Sequence, residues 1–119
     1  MRVSQINHCA FCVDINSATL QRRGVSYDKI YALGDWRNSQ FDSPEARLAL
    51  EYAEAMILKQ IDDQLRARLK ARWNEDTIAE LTGLIAFQNL SSKFNSALDA
   101  PAQGFCRLPE HRSDTGSGF

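Results

Sequence analysis

NEDTIAELTGLIAFQNLSSKFNSAL, residues 74–98, decides the fold class. Asn74 offers a side-chain oxygen to the unsatisfied amides of a first turn, and Glu75 and Asp76 put negative charge where the helix dipole is positive. Ile78, Leu81, Leu84, Ile85, Phe87, Leu90, Phe94 and Leu98 then recur at helical intervals. They cover a sector wide enough for a central helix touched on several sides. Pro101 and Gly104 end it.

Outward from this helix, the rest of the chain has the same periodicity. Asp62 opens a helix to about Arg72, with Leu65 and Leu69 on one face and Arg66, Arg68 and Lys70 toward water. Asp42-Ser43-Pro44-Glu45 combines a capping hydroxyl, a proline suited to the first helical position and an acid for the dipole, so a helix should run from there to about Ile57. In it, Ala46, Ala49, Ala53 and Met56 allow close helix approach, and Leu50, Tyr52 and Ile57 widen the apolar face. Ser26 caps a short helix through Leu33, closed by Gly34, and residues 35–42 are irregular with Trp36 and Phe41 as anchors. A first helix spans about Cys9 to Arg23, where Arg22 and Arg23 suit a C-terminus and Gly24 can turn left-handed beyond it. Residues before Cys9 are the end of a preceding element. Strand-like alternation is missing, so the fold is all-α with about five helices.

At 119 residues the chain fits one domain, taken as residues 1–110 followed by a mobile tail, 111–119, rich in Ser and Gly. A net charge of −1 with interspersed signs gives no field to gather nucleic acid or anionic lipid. No run approaches the roughly 20 apolar residues of a membrane span, and the start lacks a signal peptide's apolar core. A cytoplasmic protein is expected, with no nucleic acid or membrane partner.

Three cysteines, two of them three residues apart, do not make a structural disulfide framework. Cys9 and Cys12 at i and i+3 share a helix face and can reach disulfide distance if Cys9 sits at or before the first turn. The unsatisfied amides there stabilise a thiolate, and a paired thiol can resolve a sulfenic acid formed on its neighbour. Haem attachment fails because Val13, not His, follows Cys12. A zinc site from Cys9, Cys12, Cys106 and His111 has acceptable ligand types, and the pair can also be read as buried small hydrophobes. A thioredoxin fold is excluded by the lack of strands.

The stretch Ser4-Gln5-Ile6-Asn7-His8-Cys9-Ala10-Phe11-Cys12-Val13-Asp14-Ile15-Asn16-Ser17-Ala18 resembles the core of the alkylhydroperoxidase D-like (AhpD-like) branch of the carboxymuconolactone decarboxylase superfamily. Glu80-Leu81-Thr82-Gly83-Leu84-Ile85-Ala86 and Asn95-Ser96-Ala97-Leu98 are similar to that family's last helix. The resemblance implies a helical bundle that assembles as dimers, trimers or hexamers, with the cysteine pair at a helix start near an interface. It also implies that Cys12 attacks a hydroperoxide, that Cys9 resolves the product, and that an external dithiol restores the pair, with no cofactor or metal. The family's proton relay uses a histidine four residues after the second cysteine, where this chain has Asn16. The relay glutamate, with the family's N-terminal helices, would fall before Met1. His8 is a candidate substitute base or an exposed turn residue, and Asp14 a tuning group or a residue facing water. Cys106 is read as a bystander, and Phe11 as a packing residue. The decarboxylase members generally lack the cysteine pair, so lactone decarboxylation is not expected. The alternative is a non-enzymatic helical module with redox-sensing or vestigial thiols.

Overall fold

The structure, a computed structural model, describes residues 1–38, 43–58 and 60–106. Among them are six α-helices and one 3-10 turn, with no strand. In chain order these are α1 (Arg2–Ile6), α2 (Ala10–Arg22), α3 (Tyr27–Ala32), the 3-10 turn Leu33–Asn38, α4 (Pro44–Leu58), α5 (Asp63–Arg72) and α6 (Glu75–Ala97). The all-α reading holds. The helix beyond the expected count is α1, too short to show a period of its own. Phe41, Asp42 and the 111–119 tail lie outside the described residues.

The helix starts follow local chemistry. Ser26, Ser43, Asp62 and Asn74 accept main-chain N–H bonds from Lys29, Ala46, Leu65 and Thr77 respectively, the last two at 2.8 Å. Each bond satisfies a donor that no helical carbonyl reaches. Gly24, at φ +92°, reverses the chain after α2 in a conformation that costs other residues Cβ strain.

The core gathers Val3 of α1, Leu48, Tyr52, Ala53 and Ala55 of α4, Leu65 and Leu69 of α5, and Ile85 of α6. Alanines in α4 let the neighbouring helices close on it. Tyr52 adds a polar tie: its hydroxyl lies 2.6 Å from Thr82 Oγ1, which donates onward to the Ile78 carbonyl. Trp36 is buried, as an anchor should be.

The central placement expected of the last helix holds, but much of its apolar sector is not covered. Helix α6 packs on α1, α2, α4 and α5, but Leu84, Phe87, Leu90, Phe94 and Leu98 are each 58–68% exposed. The side turned toward α1 and α2 is instead polar, carrying Gln88, Asn89, Ser92 and Asn95. A broad apolar sector in sequence does not tell which part of it the same chain covers. Among the described residues no helix is long and apolar enough to cross a membrane.

Candidate active site

Cys9 ends the turn after α1 in extended conformation, and α2 begins at the next residue. That places Cys9 at the cap and Cys12 at the end of the first turn. The two are joined as a disulfide with a Cα–Cα separation of 5.2 Å, within the usual range. The Cys9 sulfur accepts the Cys12 amide at 3.1 Å, taking the place a serine or aspartate oxygen has at other helix starts. A thiolate at Cys9 would retain that bond and meet the positive end of the dipole. Both cysteines are almost fully buried in the chain. Gln5, His8, Cys9, Ala10 and Val13 line a cleft of about 220 Å³ beside them.

The turn carrying the pair is held by α6. Asn7 Nδ2 donates to Asn89 Oδ1 and to Ser92 Oγ, each at 2.8 Å. Ser92 is completely buried and donates to the Gln88 carbonyl at 2.6 Å. Ser96 Oγ lies 3.5 Å from the His8 carbonyl, and Asn95 Nδ2 lies 3.7 Å from Cys12 Sγ. Asn89, Ser92, Asn95 and Ser96 follow one another at helical spacing, so one polar stripe faces the pair. Sequence reading missed Asn7, Asn89 and Ser92. The available signal was the Asn and Ser run interrupting the apolar period of residues 74–98.

The other candidates fall in different places. His8 is exposed in the turn at φ +54°, an uncommon conformation for a residue with a side chain, and its imidazole has no bond to either sulfur. Asn16 is half-buried and donates to Ser4 Oγ at 3.1 Å and Gln88 Oε1 at 3.4 Å, so it braces α1 against α2 and α6 rather than touching a thiol. Phe11 packs edge-on against Phe105, with ring centroids 6.4 Å apart. Cys106 lies against Gln21, and burial with the nearby Asp14 charge pushes its thiol pKa up. Among the described residues no three His, Cys, Asp or Glu side chains converge as metal ligands, and His111 of the zinc alternative lies outside them.

Asp14 does not face water as expected: it is 3% exposed. Its carboxylate accepts the amides of Gln103 (2.7 Å), Phe105 (3.0 Å) and Cys106 (2.7 Å), tying the segment after α6 onto α2. Sequence position within the first turns of α2 could not reveal a partner about ninety residues away. Burial alone would raise the Asp14 pKa, but the amide donors outweigh it and hold the value below the ordinary 3.8. The bonds therefore stabilise the fold fully above that ordinary value, and the contribution is lost as pH falls through the lower folded one. Asp14→Asn should cost about 2 kcal/mol, seen as a lower melting temperature with faster amide exchange at Gln103, Phe105 and Cys106. Unchanged exchange at those three amides would contradict this role.

A second buried carboxylate was also missed. Glu54 of α4, 8% exposed, accepts Arg2 Nε at 2.9 Å and Trp36 Nε1 at 2.8 Å, and pairs with Arg37 Nη1. The Arg37 guanidinium lies 4.3 Å from the centre of the Trp36 ring. Burial opposes ionisation, but bonds from Arg37, Trp36 and Arg2 overcome it and bring the Glu54 pKa down to about 2. Arg2 belongs to α1, so this cluster fixes the helix that delivers Asn7 and the cysteine turn. The period of α4 gave no signal, because Glu54 lies off the arc defined by Leu48, Tyr52 and Ala55 and is covered by Arg2 and Trp36 from other elements.

A helical scaffold with a paired CxxC at a helix start agrees with the sequence comparisons: the chain belongs to the carboxymuconolactone decarboxylase family, itself part of the AhpD-like superfamily. The family profile matches residues 1–55, the part that holds α1, both cysteines and most of α4. The chain is 53% identical over 114 residues to uncharacterized protein YnjA of Escherichia coli (strain K12), covering 94% of this chain and 63% of that one. It therefore spans a little under two thirds of that relative's length. It is 33% identical over 101 residues to uncharacterized protein YdfG of Bacillus subtilis (strain 168), covering 82% of this chain and 69% of that one.

Proposed function

We propose that the protein is a thiol-dependent oxidoreductase that reduces hydroperoxides with the Cys9–Cys12 pair and is regenerated by an external dithiol. The observation that carries this reading is the disulfide at the start of α2, with the Cys9 sulfur bonded to the Cys12 amide. Its elements are a dithiol able to act as a two-electron couple, N–H donors that stabilise thiolate, and a Cα–Cα separation within disulfide range.

In the forward direction the Cys12 thiolate attacks the terminal peroxide oxygen. The O–O bond breaks, the alcohol leaves with a proton from solvent, and Cys12 becomes a sulfenic acid. Cys9 attacks that sulfur as thiolate, a disulfide forms, and hydroxide departs as water. An external dithiol then gives up two electrons in two exchange steps, ending as its own disulfide while Cys9 and Cys12 return to thiols. The assignment of attack to Cys12 and resolution to Cys9 follows the family resemblance. The exposed apolar stripe on α6 supports self-association, consistent with a homo-oligomer.

The test is peroxide consumption with hydrogen peroxide or cumene hydroperoxide and dithiothreitol as reductant. Peroxide loss should exceed the protein-free background and rise linearly with protein. No excess at any protein concentration removes the enzymatic reading. The second reading is a non-enzymatic redox-sensing module, and one observation favours it: Asn16 cannot exchange a proton near neutral pH and is bonded away from the sulfurs. That module would change oligomeric state between oxidised and reduced forms without turning over.

A further inference from the structure

We propose that Asn95 is a positioning residue for Cys12, its side-chain amide being the donor that stabilises the Cys12 thiolate. The inference rests on the reading above that Cys12 works as a thiolate. It comes from the hydrogen bonds that reach the pair. Two N–H donors do so among the described residues: the Cys12 amide, which goes to the Cys9 sulfur, and Asn95 Nδ2, which lies 3.7 Å from the Cys12 sulfur. The helix start therefore serves Cys9, and Cys12 depends on a group from α6, 83 residues along the chain.

The orientation of the Asn95 carboxamide is set by its surroundings. Its Nδ2 also donates to the Ser91 carbonyl at 2.9 Å. An amide oxygen in that position would face another oxygen, so the NH2 end must point there, and its second hydrogen is free for sulfur. The same part of α6 is pinned to the cysteine turn by Asn7 on Asn89 and Ser92, and by Ser96 at the His8 carbonyl. The donor is thus held in place before any charge develops. A neutral sulfur gains little from an amide N–H, whereas a thiolate gains a charge-assisted bond, so the contact favours the anion selectively. It acts on Cys12 whether that sulfur is attacking peroxide or leaving as the disulfide is reduced.

The measurement is the titration midpoint of Cys12 in the Cys9→Ser, Cys106→Ser background, where the hydroxyl at position 9 still caps α2 and Cys12 is the one remaining thiol, read by thiolate absorbance and by the pH dependence of iodoacetamide alkylation. Asn95→Ala should raise the midpoint by about one unit, the loss of one hydrogen bond to a charged group. Asn95→Asp, of the same shape, offers oxygens and a negative charge instead and should raise it further, by about two units. If the alanine variant does not fold, the aspartate variant decides alone. In the chain with both cysteines, the equilibrium with dithiothreitol above the thiol midpoint should shift about tenfold toward disulfide in Asn95→Ala, or about 30 mV. A midpoint within about 0.2 unit of the parent in the folded variants overturns the inference, because a merely structural Asn95 would move the melting temperature and not the thiol. Peroxide turnover by the unmutated chain is scored separately. Its absence with shifted midpoints removes the enzymatic reading and leaves Asn95 standing, while turnover with unshifted midpoints does the reverse.

Discussion

Cys12→Ser is expected to lower dithiol-dependent peroxide turnover roughly a thousandfold or more, to the protein-free background. A serine hydroxyl is almost wholly protonated near neutral pH, and a bond to Asn95 cannot make it a nucleophile comparable to a thiolate. Cys9→Ser should behave differently. Cys12 should still react once with peroxide, and its sulfenic acid should persist long enough to be trapped by a 1,3-dione reagent, since the resolving thiol is gone. Turnover should also fall, but the first equivalent of peroxide should be consumed. The contrast is chemical rather than structural, because serine at position 9 can accept the amide that Cys9 Sγ now accepts. If the two variants exchanged behaviours, Cys9 would be the attacking residue and the roles carried over from the family would be reversed.

Glu54→Gln is expected to destabilise the fold by about 3 kcal/mol, which for a domain of this size lowers the melting temperature by roughly 10–20 °C. The amide can keep one bond, but Arg2 and Arg37 lose their counter-charge beside a buried ring. Removing one partner from such a cluster leaves a charge without compensation, which costs more than the pair itself contributes. The control is Glu51→Gln. Its bidentate partner Arg68 is exposed, so the change should cost less than about 1 kcal/mol. The pH dependence follows from the same bonds. Glu54 ionises in the fold at about 2 against an ordinary 4.5, so its contribution is complete above 4.5 and disappears as pH falls through 2. That difference corresponds to on the order of 3 kcal/mol, the same size as the effect expected for the substitution. Equal melting temperatures for Glu54→Gln and Glu51→Gln would contradict the cluster's structural role.

Most of the fold was legible because helix starts and stops are local. Ser26, Ser43, Asp62 and Asn74 act on amides within three residues, and Gly24 acts on its own backbone, so their effects can be read from a few letters. The cysteine pair was legible for the same reason, its partner being one turn away. What sequence did not disclose was decided by distant partners. Asp14 looks like a solvated acid near the start of α2 until the amides of Gln103, Phe105 and Cys106 close on it. Glu54 looks like one more surface charge until Arg2 and Trp36 meet it from other elements. Asn95 touches the site from 83 residues away. The width of the apolar sector on α6 was correct as a count, but neither its exposed half nor the polar stripe beneath the cysteine turn follows from period alone.

The central claim is that Cys9 and Cys12 exchange two electrons with a peroxide, and mass spectrometry tests it most directly. The fully reduced chain, given one equivalent of hydrogen peroxide and then an alkylating reagent under denaturing conditions, should lose two hydrogens. The Cys9–Cys12 peptide should resist alkylation while Cys106 is labelled. Alkylation of both Cys9 and Cys12 after the peroxide has been consumed, or oxidation confined to Cys106, would contradict the account.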